Sequence, residues 1–131
     1  MFFSVFLLAE GANKVLVDQE VEVIRADFKE FHFLVPEDNG HSYRFSGNFR
    51  TKGGMNDDIS FLILTQQNYV RWFSKYDFQA AVKKEKATQG DFSIEAKPGE
   101  TYYFVLDNFF SSFSNKKVTL KIEMVTGSTA K

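Results

Sequence analysis

The last regular segment of the chain, "KKVTLKIEMV" from Lys116 to Val125, sets Val118, Leu120, Ile122 and Met124 on one side and Lys117, Thr119, Lys121 and Glu123 on the other. Apolar positions on one face of a helix recur about every 3.6 residues, so this period of about two demands a strand with one dry face and one wet face. Such a strand cannot bury its dry face alone, and the rest of the chain has to supply a second layer. The same alternation recurs upstream. "QEVEVIR" sets Val21 and Val23 against Glu20 and Glu22, and "FKEFHFLV" sets Phe31, Phe33 and Val35 against His32 and Leu34, with Pro36 ending the run. Tyr43, Phe45, Gly47 and Phe49 alternate with Arg44, Ser46, Asn48 and Arg50. Asn39 and Gly40 between these two segments suit the positive φ of a tight reversal, which predicts a hairpin there.

Two further runs, "ISFLIL" (Ile59 to Leu64) and "TYYFVLD", are apolar without alternation. They read as central strands covered on both faces. The glycines of "KGGMNDD" open a loop before the first run, and "KPGE" turns the chain at Pro98 and Gly99 before the second. In "QQNYVRWFSKYDF" the aromatics Tyr69, Trp72 and Phe73 have helical spacing, which predicts one short helical turn closing an end of the fold. "AAVKKEKATQGDFSIEA" reads as a charged connection leading into the alternation of Phe92, Ile94 and Ala96. In the opening "MFFSVFLLA", the alternation of Phe3, Val5 and Leu7 predicts a first strand, with a trimmed signal-peptide remnant as the alternative. The count is about eight strands. The expected fold is all-β, a two-sheet antiparallel jelly-roll-like β-sandwich.

Sixteen Phe, five Tyr and one Trp suit the half-buried surfaces of such a sandwich. A length of 131 residues fits a single domain, expected over residues 1–126, followed by a flexible tail "GSTAK" at 127–131. The net charge of -1 lacks the field that draws in phosphate backbones, so nucleic acid is excluded as a partner class. No run reaches the ~20 apolar residues of a transmembrane helix. Without cysteine there is neither a disulfide nor a thiolate metal site, and either redox compartment is compatible. An extracytoplasmic or secreted location is placed ahead of a cytoplasmic one.

Catalytic chemistry finds little footing. His32 lies within a strand and His41 after a turn, and neither belongs to a nucleophile or metal motif. Glu20 and Glu22 stand about 7 Å apart on one strand face and read as solvated rather than as an acid/base pair. Asn56, Asp57 and Asp58, or Glu37, Asp38 and Asn39, offer oxygen ligands for calcium but lack the spacing of a known loop, so turn and strand-start roles come first. Lys83, Lys84 and Lys86, interrupted by Glu85, read as a solvated loop, with contact to anionic lipid headgroups as the sharper alternative. The chain is expected to be neither an enzyme nor cofactor-dependent.

The most unusual stretch is "DNFFSSFSNKKV", Asp107 to Val118. Asp107, Asn108 and Ser111 have side chains that satisfy backbone amides in a reversal, so they are assigned to the turn that carries the chain from a central strand to an edge. Phe110 is expected to plug the end of the sandwich, with Phe109 or Phe113 partly outside. Lys116 and Lys117 are expected to solvate an edge strand.

The succession "FSGNFRTKGGMNDDISFLIL", "NYVRWF" and "PGETYYFVLDNFFSSFSNKKVTLKI" resembles the Golgi-dynamics (GOLD) domain and its bacterial GOLD-like relatives, over roughly Val15 to Val125. The most specific part runs from Tyr103 to Leu120. The resemblance implies a jelly-roll-like sandwich used for binding in secretory-pathway cargo receptors, Sec14-like lipid carriers and Golgi adaptors, and it implies no catalysis. The membrane span, coiled coil and frequent disulfide of the receptor branch do not appear in this sequence, which favours the stand-alone branch. The expected function is a non-enzymatic module for a protein or peptide ligand, engaged through a sheet edge or through Phe109, Phe113, Tyr69 and Trp72. The alternative is a carbohydrate-binding module with Tyr69, Trp72 and Tyr76 as an aromatic platform and optional calcium at Asp57 and Asp58. A small hydrolase comes third.

Overall fold

The computed structural model describes residues 13–37, 40–52 and 57–128. The expected strand around Phe3, Val5 and Leu7, the Asn39 half of the predicted turn, the Gly53–Gly54 loop and Asn56 lie outside the described residues. The inward row of the last segment forms the spine of one sheet. β8 (Lys116–Ser128) buries Val118, Leu120, Ile122 and Met124 and pairs antiparallel with β1 (Asn13–Val23) on one side and β3 (His41–Lys52) on the other. β6 (Gln89–Ala96) completes the order β1-β8-β3-β6. The second sheet contains β2 (Phe28–Leu34), β7 (Thr101–Asp107), β4 (Ile59–Thr65) and β5 (Val82–Ala87), in the order β2-β7-β4-β5. Among the described residues, eight antiparallel strands in two open sheets make an all-β sandwich.

Phenylalanine fills the space between the sheets. Phe49 stacks on Phe61 at 4.8 Å, Phe61 on Phe92 at 5.2 Å, and Phe45 meets Phe104 edge-on at 5.1 Å. Rings this wide need relief somewhere in the backbone. Gly47 supplies it on β3, facing Phe92 across the β3–β6 pair and Ile122 across the β3–β8 pair.

Five sequence expectations are corrected. The chain does not make a hairpin at Asn39–Gly40, because β2 and β3 belong to different sheets. Val35 is fully buried, donates its N–H to Glu100 O and accepts from Gly99 N, so the exit of β2 is pinned to the β6–β7 turn and the chain crosses over from there. Gly40 (φ 86) serves that crossing. The charged segment at Val82–Ala87 is an edge strand rather than a loop: β4 needs a cover for its outer edge, and lysines with long apolar stems provide it while keeping their charge in water.

Helix α1 (Gln66–Phe73) covers the outer face of the second sheet rather than an end of the sandwich. Leu62, Leu64 and Val105 point out of that sheet, and Tyr69, Trp72 and Phe78 pack over them. Thr65 caps the helix by accepting from Asn68 N, and the Asn68 side-chain Oδ1 in turn accepts from Gln79 N. Finally, β8 is an inner strand, so the expected edge role of Lys116 and Lys117 does not hold: Lys117 is exposed and Lys116 is fully buried. β8 also continues to Ser128, so Gly127 and Ser128, read in the sequence as the start of the tail, pair with Ser42 and His41.

Candidate functional site

The site begins at the corner between β7 and β8. Asp107 accepts from Phe109 N through Oδ1 (2.8 Å), which starts the reversal. Asn108 is fully buried and its backbone N donates to Asp27 O. Its Nδ2 donates to Ser114 O (2.9 Å) and, at 3.3 Å, to Val23 O and Ile24 O. Its Oδ1 accepts from Lys116 Nζ at 3.1 Å. Ser111 closes the loop, with Oγ donating to Ser114 O and accepting from Ser114 N. One amide side chain thereby ties the end of β1, the β1–β2 turn and the start of β8 together.

Lys116 is the second half of this clasp. Its Nζ donates to Asp58 O (2.7 Å), Asp58 Oδ1 (3.1 Å) and Asn108 Oδ1, so all three ammonium protons have acceptors. A buried charge is tolerated only when paired in this way. Phe110 closes the top, its ring 4.8 Å from Lys116 Nζ on one side and 5.2 Å from Lys86 Nζ. The plugging residue expected from the sequence therefore covers a cation rather than an apolar gap.

Beside the clasp lies a continuous aromatic surface. Phe28, at the start of β2, is its hub, in contact with Trp72 (5.1 Å), Phe109 (5.5 Å) and Phe73 (5.9 Å). Trp72 also meets Phe109 at 6.2 Å, and Tyr69 stacks flat on Tyr103 at 4.1 Å. Phe109 is 49% exposed and Phe73 58%. Of the four partner-contact residues expected from the sequence, Phe109, Trp72 and Tyr69 are thus brought together, whereas Phe113, 89% exposed, stands on the corner loop without a ring contact to them among the described residues. Phe28 was missed as the hub. Its even-numbered position, shared with His32 and Leu34, was the available signal for the outer face of β2.

Burial among these groups pushes the Asp107 carboxyl above its ordinary value, against the opposing pull of the Phe109 N–H and Lys75. Burial also raises the Tyr69 hydroxyl, with Glu30 and Tyr103 adding to the effect. A carboxyl raised in the folded state favours folding below its ordinary pKa of 3.8, and that contribution is lost as pH rises through the raised value. Asp107→Asn, which keeps the acceptor for Phe109 N, is therefore expected to stabilise the protein at neutral pH. The gain shrinks toward nothing as pH falls to the ordinary carboxylate range; urea denaturation at a series of pH values checks it.

The remaining sequence candidates are dispersed. Asp58 is engaged by Lys116, whose ammonium stands where a calcium ion would have to bind, and Asp57 O accepts from Thr51 Oγ1. Among the described residues no three His, Asp or Glu side chains converge as metal ligands. Glu20 pairs loosely with Lys52 and Glu22 accepts from Asn115. His32 bonds Glu30 (3.0 Å) and stacks on Tyr103, and His41 lies near Tyr43. Lys83 pairs with Glu85 and sits over Phe78. The proposed sugar platform is not flat: Tyr69 and Trp72 are tilted by 34° and one face of Tyr69 is taken by Tyr103, while Tyr76 is exposed with the Arg71 guanidinium 5.8 Å from its ring centre. Among the described residues no helix is long and apolar enough to cross a membrane.

A comparison with protein-family models matches residues 31–131 to the emp24/gp25L/p24 family, GOLD. No curated protein matches the chain. The matched region starts within β2 and takes in α1, the Asn108 corner and β8, well over half of the sequence. The chain belongs to the emp24/gp25L/p24 (GOLD) family.

Proposed function

We propose that this domain is a non-enzymatic module that binds a protein or peptide segment on the aromatic surface formed by Phe28, Trp72, Phe73 and Phe109. The family to which it belongs is one of trafficking-related, protein-binding domains without enzymatic activity. The observation that carries the reading is the contiguity of these rings: three separate segments contribute half-exposed aromatics to one face, where scattered single exposures would be unremarkable. Large rings on a rigid base give area at small entropic cost, and they dominate binding energetics once a partner excludes water from them. The same face adjoins β2, which pairs only with β7 and leaves its other edge open among the described residues. An extended segment added to that edge would gain backbone hydrogen bonds and lay its side chains against the rings.

Peptides selected from a displayed random library on the purified domain test this. Binding is expected to fall about tenfold or more with Phe109→Ser or Phe73→Ser. Phe113→Ser is expected to matter less, since that ring stands outside the cluster. Selected peptides that bind all three variants as well as the unmodified domain would refute the assignment of the surface.

A further inference from the structure

Lys116 and Asn108 bring a nucleophile and a carboxamide together in a dry site. A buried ion pair stabilises a fold little more than apolar side chains of the same volume, so an ammonium this deep invites a second role. The Lys116 side chain is 1% exposed, and Asn108 is fully buried beside it. Nζ donates to Asn108 Oδ1 at 3.1 Å. With a C=O bond of about 1.2 Å, the carboxamide carbon lies no more than about 4.3 Å from that nitrogen. Attack needs roughly 3–3.5 Å, an approach that the flexible lysine stem supplies by torsion.

Three neighbours suit this pair to aminolysis. Asp58 Oδ1, 3.1 Å from the same Nζ, can take the proton that occupies the amine's lone pair, and transfer within the pair removes two buried charges at once. The leaving nitrogen, Asn108 Nδ2, already donates to the carbonyls of Ser114, Val23 and Ile24, which can hold it as it gains protons. Phe110 roofs Nζ at 4.8 Å and keeps water from competing for the carbonyl, while the partly exposed Asp58 side leaves a small product a way out. Asn108 rather than Asp58 is the electrophile, because a carboxylate carries the negative charge that repels a nucleophile and an amide does not.

We infer that Lys116 and Asn108 form an intramolecular isopeptide bond with Asp58 as the proton carrier. Asp58 takes a proton from the Lys116 ammonium, and the free amine bonds to Asn108 Cγ. As the Cγ–Nδ2 bond breaks, Asp58 passes its proton to Nδ2 and receives the surplus proton of Nζ, which departs with the ammonia as ammonium and restores the carboxylate. One C–N bond forms and one breaks, and nothing is oxidised or reduced. The reaction turns over once, within the chain, and the hydrogen bonds of the clasp are its reactant state. It gives a chain without cysteine a covalent staple indifferent to redox conditions, fixing the corner from which Phe109 projects.

Mass spectrometry of the folded domain, denatured and digested with trypsin, tests it. Lys97 is followed by Pro98, so the linked chain is expected to give one peptide over residues 87–117, uncut after Lys116. That peptide is expected to be about 17 Da light, one ammonia, with fragment ions missing between Asn108 and Lys116. Lys116→Met is expected to give the same span at full mass. Asp58→Asn is expected to lower the linked fraction at least about tenfold, with far-UV circular dichroism confirming that it folds. Asn115→Ser is expected to keep the loss, which separates the link from ring closure of Asn115 on its own backbone. Cleavage after Lys116 with full peptide mass in the folded domain after prolonged incubation at neutral pH overturns the inference. So does a loss that survives Lys116→Met, a loss of water that joins Lys116 to Asp58, or an Asp58→Asn chain linked as fully as the parent.

Discussion

Asn108→Ala is expected to lower the free energy of unfolding by about 3–5 kcal/mol, the combined cost of one buried ammonium proton and two buried carbonyls left without their side-chain hydrogen-bond partner. The substitution removes one acceptor of Lys116 Nζ and leaves the carbonyls of Val23, Ile24 and Ser114 without the amide that bridges them. Asp58 still accepts from Lys116 Nζ and Ser111 Oγ still donates to Ser114 O, but the third ammonium proton and the carbonyls of Val23 and Ile24 lose their side-chain partner in a fully buried position. Lys116→Met makes the useful contrast. It deletes the charge with its desolvation cost while keeping the stem, and it leaves Asp58, which is partly exposed, able to recruit water. Its cost is expected to be smaller, about 1–3 kcal/mol, set mainly by the orphaned Asn108 Oδ1. Equilibrium urea denaturation of both variants, with the slope unchanged from the parent, measures the difference.

Gly47→Ala is the second large effect. A Cβ at position 47 would lie 1.9 Å from Lys121 O and 2.8 Å from the tip of the Phe92 ring. The carbonyl is backbone of the neighbouring strand β8 and cannot rotate away, so β3 and β8 must part locally, and Phe92 must also shift in its stack on Phe61. Overpacking of a closed core commonly costs about 1–3 kcal/mol, and a clash with sheet backbone places this variant at about 3 kcal/mol or beyond. Gly127→Ala on β8 is the control. There the new methyl meets only the Ser42 hydroxyl, at 3.1 Å, which a rotamer change relieves, and the expected loss is under about 1 kcal/mol. Thermal and urea denaturation of the pair separate close backbone approach at Gly47 from a general intolerance of alanine in the sheet.

The layered architecture was legible because the segments that build it carry an unambiguous period. Val118 to Met124 and Tyr43 to Phe49 alternate, and Ile59–Leu64 and Tyr102–Leu106 are apolar on both faces, as central strands under a helix must be. The path between the layers was less legible. Asn-Gly chemistry specifies a positive φ but not which strand the chain joins next, and the anchor that decides it, Val35 on the β6–β7 turn, is a contact distant in sequence. β5 was misread because lysine stems cover apolar surface while lysine in a string reads as solvated. Lys116 carried a usable signal that adjacency to Lys117 concealed: counting back by two from Val118 puts residue 116 on the buried face. The aromatic surface was half legible. Its members were each noticed or noticeable, but their union depends on β2, α1 and the β7–β8 corner meeting over one sheet, which no local pattern encodes.

Trp72 is the only tryptophan in the chain and sits among Phe28, Phe73 and Phe109, so its emission reports directly on the surface assigned to partner binding. Titration of a library-selected peptide, with saturation established by calorimetry, is predicted to shift Trp72 emission to shorter wavelength and to shield it from acrylamide. Saturating peptide that leaves both emission and quenching unchanged would place binding elsewhere on the sandwich and contradict the account.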